Sequence, residues 1–159
     1  MPGTVGVLSR RWQRATVPEV DPDFIHHQEV DWRDMQPAPC DCMPGDVLIV
    51  EDDPIIALDF EDTIMSFGVT AVRTAASVAR ALELIAGRVP DFALLDVGLI
   101  SGEKTFAIAE RLDALDVPYV FITGYGSDVR LPPSLAEKPR LNKPCSSEVL
   151  EAALRRKKV

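Results

Sequence analysis

The sequence is poor in features that identify several whole classes of protein. No apolar run approaches the roughly 18 to 20 residues that span a bilayer. The N-terminal segment, interrupted by Arg10, Arg11 and Arg14, lacks the apolar core of a secretory signal. Three cysteines are an odd number and too few for a disulfide scaffold, so nothing requires an oxidising compartment. From these absences we expect a cytoplasmic protein with no membrane partner.

Basic residues are also in the minority, with 17 Lys and Arg against 25 Asp and Glu and a net charge of −8. Nucleic-acid binding that does not depend on sequence needs clustered basic side chains to displace counterions from phosphates. The basic cluster Arg155–Lys158 follows the last predicted helix, where cations are favoured in any case. We therefore expect no direct nucleic-acid partner.

The composition changes near residue 45. Residues 1–45 hold both tryptophans and both histidines, are rich in proline, and show no sustained periodicity. We expect them to form a disordered extension, followed by one domain over 46–155 and a basic tail over 156–159. The Cys40-x-Cys42 spacing is poor for a closed tetrahedral zinc site, so we assign no metal to the extension.

From residue 46 onwards, short apolar runs alternate with helical patterns, which predicts an α/β fold with a parallel sheet covered by helices. The apolar runs are 47–50, 70–72, 92–95, 119–122 and a weak one near Leu141. The expected architecture is a doubly wound, five-stranded parallel sheet, for which 2-1-3-4-5 is a common strand order. Between the fourth and fifth runs, Gly126, Pro132 and Pro133 leave little room for a helix. We expect that fourth helix to be short or mobile.

The helical segments carry their own boundary signals. Asp53 can cap a first helix that begins at Pro54 and stops at Gly68. The second helix is predicted before Gly87, and the last after Ser146. The spacing of the third helix places four side chains on one stripe against the sheet, namely Thr105, Ile108, Ala109 and Leu112.

Polar residues follow four of the apolar runs at the point where each strand should end. Glu51 and Asp52 follow the first run, Asp96 the third, Thr123 the fourth and Lys143 the fifth. In the order 2-1-3-4-5 the first and third strands are neighbours, so the three carboxylates should converge. They would repel one another without a cation, and Mg²⁺ suits them because it takes hard oxygen ligands. A lysine and a hydroxyl opposite such an ion match the needs of phosphoryl transfer.

These residues resemble the receiver domains of two-component response regulators over about residues 46–155. The match is the acidic pair after the first strand, Asp96 in Leu-Leu-Asp, Thr123 in Phe-Ile-Thr-Gly and Lys143 before a proline. The resemblance implies a flavodoxin-like receiver fold and a Mg²⁺ site formed by Glu51, Asp52, Asp96 and the backbone carbonyl of Gly98. It also implies that Asp96 accepts the phosphoryl group, Lys143 binds it and Thr123 acts as the switch.

Two positions depart from the usual receiver pattern. Arg140 stands three residues before the lysine, where receivers usually have an aromatic switch residue. The stretch from Pro118 to Tyr125 is similar to an atypical receiver subfamily with the motif Phe-Ala-Thr-Gly-hydrophobic-Tyr, although Ile122 replaces its alanine and Gly126 its final tyrosine. That subfamily also lacks the aromatic switch. We expect the segment from Gly124 onwards to become ordered on phosphorylation instead.

We expect a single-domain response regulator, because few residues follow the last predicted helix and the segment in front is too short and irregular for an output domain. The resemblance implies a phosphoacceptor with self-catalysed phosphotransfer and dephosphorylation rather than a turnover enzyme. Its partners would be a histidine kinase or phosphotransfer protein and an unknown downstream protein. Two alternatives stay open. One is a Mg²⁺ phosphatase of the haloacid-dehalogenase type, whose Asp-x-Asp nucleophile motif is absent because Glu51-Asp52-Asp53 is followed by Pro54. The other is a receiver-shaped adaptor that acts without phosphorylation.

Overall fold

Strands and helices alternate along the described part of the chain, residues 42–124 and 130–155 of a computed structural model. The elements are β1 (Asp46–Val50), α1 (Pro54–Ser66), β2 (Ala71–Ala75), α2 (Val78–Gly87), β3 (Phe92–Asp96), α3 (Phe106–Ala114), β4 (Tyr119–Thr123), a 3₁₀ turn (Pro133–Leu135), β5 (Arg140–Asn142) and α4 (Ser147–Leu154). The extension and the basic tail predicted from the sequence lie outside the described residues, except for 42–45. No helix among those described is long and apolar enough to cross a membrane.

The strands form one parallel sheet in the order β2-β1-β3-β4-β5, which confirms the predicted fold class and strand order. Because side chains alternate between the two faces of a strand, each face carries its own apolar core. On one face α2 and α3 pack over side chains such as Leu48, Leu95 and Phe121. On the other, α1 and α4 pack over Ile49 and Leu94. Strands buried on both faces explain the near-continuous apolar runs in the sequence.

Helix α1 has the predicted boundaries. Asp53 lies in extended conformation, and its Oδ1 accepts hydrogen bonds from the N–H groups of Ile55 and Ile56. Pro54 stands at the first position, where its missing N–H costs nothing. Gly68 has a φ of +90°, a conformation that favours glycine, and ends the helical segment. These caps fix the loop that carries Glu51 and Asp52 at the start of the helix.

Three local features differ from or refine the sequence-based prediction. The second strand begins at Ala71 and runs to Ala75, three residues beyond the apolar run, because Arg73 hydrogen-bonds Asp46 and the carbonyl of Leu84 instead of facing solvent. Thr105 is the residue that precedes α3 and does not belong to its helical stripe. In the described part of the fourth crossover the only helical element is the 3₁₀ turn, as the prolines predicted. Residues 125–129 lie outside the described residues, so the expected mobility and ordering of this segment stay predictions.

A buried ion pair stabilises the end of the sheet opposite to the loops that follow β1 and β3. Asp46 is almost fully buried, and its carboxylate accepts bonds from Nε and Nη2 of Arg73 at 3.0 and 2.9 Å. Arg88 adds an ion pair at 2.8 Å. The Arg73 guanidinium also donates to the Leu84 and Arg88 carbonyls, which satisfies the C-terminal end of α2. This cluster ties β1, β2 and α2 together.

Candidate functional site

Three carboxylates meet at the carboxyl ends of β1 and β3. Glu51 and Asp52 follow β1 directly, Asp96 is the last residue of β3, and the two strands pair side by side. One carboxylate oxygen of each residue lies within 4.8 Å of the others. Glu51 and Asp96 are only 4% and 8% exposed. The convergence expected from the strand order is therefore present, at the switch point where α/β sheets bind ligands.

Lys143 lies directly after β5 and reaches into this acidic cluster. Its Nζ donates to Asp96 Oδ2 at 2.8 Å and also to Glu51 Oε2. Burial raises the pKa of Glu51, the Asp96 charge adds to the rise, and the hydrogen bond from Lys143 opposes it. Burial alone would lower the pKa of Lys143, but its bonds to Asp96 and Glu51 outweigh burial and raise it. The lysine is therefore cationic at neutral pH.

The loop between β3 and α3 closes over the carboxylates from the other side. The Gly98 N–H donates to Asp96 Oδ1 at 3.2 Å, and the Ile100 N–H donates to Asp52 Oδ2. Thr105 is fully buried, and its hydroxyl donates to the backbone carbonyl of Asp96 at 2.8 Å. Asp96 is thus held through both its side chain and its main chain.

Thr123, the last residue of β4, does not bond to the acidic cluster. Its hydroxyl donates to Asn142 Oδ1 at 3.0 Å, with a longer contact of 3.5 Å to the Leu141 carbonyl. The Thr123 carbonyl accepts the Lys143 N–H at 2.7 Å. The backbone therefore places Thr123 beside Lys143, while its hydroxyl is directed to β5.

The sequence analysis missed three groups that shape this site: the Thr105 hydroxyl, the Ile100 N–H and the Asn142 amide. A threonine directly before a helical pattern is a common cap residue, and this signal would have taken Thr105 off the apolar stripe. A polar residue within a weak strand marks Asn142 as unusual. A backbone N–H has no residue-specific signal, so Ile100 could not have been found from the sequence.

The net charge of the site favours binding of a divalent cation. Three carboxylates and one ammonium carry a net charge of −2 within a largely buried pocket, which is unfavourable without a counterion. All side-chain donors are carboxylate oxygens, the ligands that Mg²⁺ prefers, and none is a thiol or imidazole. The donor set fits Mg²⁺.

The sheet order, the helices on both faces and the acidic cluster at the switch point define a receiver domain of the flavodoxin-like type. Comparison with known families agrees, because the sequence profile of the response regulator receiver domain matches residues 47–155. The chain belongs to that family.

Individual relatives come from response regulators of bacteria. The phyllosphere-induced regulator PhyR of Methylorubrum extorquens is 31% identical over 85 residues, which cover 52% of this chain and 32% of PhyR. The chain thus matches about a third of the length of that curated relative. The solution structure of SdrG from Sphingomonas melonis is 41% identical, with a TM-score of 0.61 over 69% of this chain and 92% of SdrG. A BeF₃-activated structure of SdrG is 39% identical, with a TM-score of 0.58 over 70% and 97% of the two chains.

Proposed function

We propose that this chain is a response regulator in which Asp96 accepts a phosphoryl group from a histidine kinase or a phosphotransfer protein. In this proposal residues 46–155 form the receiver domain, and the protein acts in the cytoplasm. The observation that carries it is the position of the Asp96 carboxylate. Its Oδ2 lies 2.8 Å from the Lys143 ammonium, and the residue shares one pocket with two further carboxylates. Family membership supports the same chemistry.

In the proposed reaction an Asp96 oxygen attacks the phosphorus atom of the donor phosphohistidine. An O–P bond forms, the P–N bond breaks, and the imidazole nitrogen keeps the electron pair. A carboxylate oxygen attacks through a lone pair and needs no general base, so catalysis consists of positioning and charge neutralisation. The Gly98 N–H and the Thr105 hydroxyl orient Asp96 for the attack. Lys143, which already contacts Asp96, neutralises charge on the incoming phosphoryl oxygens.

Mg²⁺ is the proposed cofactor, and Glu51, Asp52, Asp96 and the backbone carbonyl of Gly98 are its proposed ligands. When bound, the ion neutralises negative charge on the carboxylates and on the phosphoryl group. Asp52 would exchange its bond with the Ile100 N–H for a bond to the ion, and Lys143 would shift from Glu51 towards the phosphoryl oxygens. In the structure these carboxylates are held by Lys143 and by the loop between β3 and α3.

Output is proposed to pass to a downstream protein through the face formed by the fourth crossover, β5 and α4. Phosphorylation replaces one negative charge with about two and adds acceptor oxygens, which favours reorientation of Thr123 and its loop. Arg140, at the usual position of the aromatic switch, donates to the Ala136 carbonyl and ties β5 to the 3₁₀ turn. In place of an aromatic rotamer change, the proposal is that the segment from Gly124 onwards becomes ordered on phosphorylation.

Intact-mass spectrometry after incubation with Mg²⁺ and acetyl phosphate tests the proposal. We expect one phosphoryl adduct that disappears with EDTA and in Asp96→Asn. Asp116→Asn is the matched control, because Asp116 is exposed, lies outside the site and has a φ of +55°, which asparagine adopts readily. Absence of an adduct with acetyl phosphate and with kinases would favour the adaptor. Steady hydrolysis of a phosphomonoester would favour the phosphatase alternative.

A further inference from the structure

The Thr123 hydroxyl has a hydrogen-bond partner, and that partner is a side chain of the neighbouring strand. Thr123 and Asn142 face each other in the register of β4 and β5, and the hydroxyl donates to Asn142 Oδ1 at 3.0 Å. The flanking backbone is fixed, because the Lys143 N–H donates to the Thr123 carbonyl at 2.7 Å. Rotation of the Thr123 side chain alone would therefore be enough to move the hydroxyl away from Asn142.

A threonine hydroxyl has a single proton, so it donates a strong hydrogen bond to one acceptor at a time. Asn142 and a phosphoryl group on Asp96 would compete for that proton. The amide oxygen is a neutral acceptor, whereas a phosphoryl oxygen is charged, and hydrogen bonds to charged groups are roughly twice as strong. The competition is thus resolved towards Asn142 before phosphorylation and towards the phosphoryl group after it.

We propose that Asn142 is a positioning residue that holds the Thr123 hydroxyl away from the acceptor site until Asp96 is phosphorylated. This inference rests on the proposed function and gives a role to Asn142, which is not among the residues proposed to bind the ion or the phosphoryl group. Asn142 stabilises the unphosphorylated arrangement of Thr123. It thereby lowers the apparent affinity of the site for a phosphoryl group. Asn142 is exposed, so its side chain can be replaced without disturbing either apolar core.

The direction and size of the effect follow from the strength of such a bond. A neutral side-chain hydrogen bond contributes about 0.5–1.5 kcal/mol net, equivalent to a factor of roughly 2 to 12 in an equilibrium constant. Asn142→Ala removes the competing acceptor and is expected to tighten beryllofluoride binding in the presence of Mg²⁺ by about two- to tenfold. Asn142→Asp offers a charged acceptor in the same place and is expected to weaken binding by a similar factor.

The decisive experiment is a double-mutant cycle with beryllofluoride as the probe. Thr123→Val keeps the branched shape of the side chain but removes the hydroxyl. Titration of wild type, Asn142→Ala, Thr123→Val and the double variant is followed by the amide NMR signals of Lys143 and Gly98. We expect Asn142→Ala to tighten binding when Thr123 is present and to have no effect when it is combined with Thr123→Val. Thermal unfolding in EDTA checks that all four proteins are folded.

Each result has a defined meaning. Equal affinities of wild type and Asn142→Ala would overturn the role of Asn142 while leaving the phosphoacceptor function intact. An effect of Asn142→Ala that persists without the Thr123 hydroxyl would also overturn it, because the asparagine would then act through the structure of β5. If wild type bound no beryllofluoride and formed no acetyl-phosphate adduct, the proposed function itself would fail, and the role of Asn142 with it.

Discussion

Lys143 is the group whose removal tests the electrostatics of the site most directly. Its side chain is 19% exposed, and the side chains of its partners Glu51 and Asp96, taken without the backbone, are 3% and 11% exposed. Lys143→Met keeps a long flexible side chain and removes the charge. In EDTA this variant leaves three carboxylates together with no cation among them, so we expect the folded state to lose stability.

The size of the loss follows from the burial of the pair. Removing one partner of a fully buried ion pair costs about 3–5 kcal/mol. Because Lys143 is partly exposed and solvent screens its charge, we expect Lys143→Met to lower the free energy of unfolding by about 2–3 kcal/mol. Each 1 kcal/mol lowers Tm by about 4–8 °C in a domain of about 100 residues. We therefore expect Lys143→Met to unfold about 8–24 °C below wild type in EDTA.

Magnesium should reverse part of this loss. In wild type, the ion must displace lysine hydrogen bonds from Glu51 and Asp96, and bonds of this type to charged groups contribute about 1.5–3 kcal/mol. The variant lacks this competitor, so we expect its Mg²⁺ affinity to be about tenfold tighter, which corresponds to about 1.4 kcal/mol. Thermal unfolding over a series of Mg²⁺ concentrations measures both effects.

Lys138→Met is the matched control for this experiment. Lys138 also pairs with a carboxylate, Asp113, and its Nζ lies 5.1 Å from the centre of the Tyr119 ring, but it takes no part in the acidic cluster. The control should lose some stability and respond to Mg²⁺ as wild type does. An unchanged Tm of Lys143→Met in EDTA, or a weaker Mg²⁺ response than that of wild type, would refute the reasoning.

Three further predictions concern residues outside the charged site. Asp46→Asn should destabilise the fold by about 3 kcal/mol in urea unfolding, because it removes the buried partner of Arg73; a loss below about 1 kcal/mol would contradict this. Thr105→Val leaves the buried Asp96 carbonyl without its donor, so it should cost about 1–3 kcal/mol and slow adduct formation with acetyl phosphate; an unchanged rate would argue against the orienting role. Burial, assisted by a carboxylate hydrogen bond, raises the pKa of Tyr119. Its contribution to stability is therefore fully present below the unfolded pKa of about 10 and is lost as pH rises towards the folded value. The stability difference between wild type and Tyr119→Phe should stay nearly constant up to about pH 9 and shrink as the pH rises above about 10, and a difference that stays constant above about pH 10 would contradict the shift.

The fold could be predicted because several local signals agree. Apolar runs bounded by polar residues marked the strands, while Asp53, Pro54 and Gly68 marked both ends of the first helix. The errors fell where a tertiary contact overrides a local preference. The end of β2 was placed too early because Arg73 is a poor strand residue until Asp46 and the α2 carbonyls bind it.

The candidate site was predictable in its charged residues but not in its neutral ones. Carboxylates and lysines at the ends of buried strands are conspicuous, so Asp96 and Lys143 were found. The positions of the Ile100 N–H and the Thr105 hydroxyl depend on the path of the loop between β3 and α3. No rule based on residue spacing predicts that path. The roles assigned to Asp96, Thr123 and Lys143 stay predictions until an adduct is measured.

The net charge of the site gives a physical reason for the proposed rotation of the Thr123 side chain. The three carboxylates and Lys143 sum to −2, so one Mg²⁺ brings the cluster close to neutrality. In the proposed reaction, phosphorylation of Asp96 would add almost one further negative charge together with several acceptor oxygens. The pocket would then need another donor, and the Thr123 hydroxyl, held by the exposed amide of Asn142 and by a longer contact to the Leu141 carbonyl, is available at low cost. The negative charge and the acceptor oxygens that phosphorylation would add therefore favour rotation of the Thr123 side chain towards Asp96.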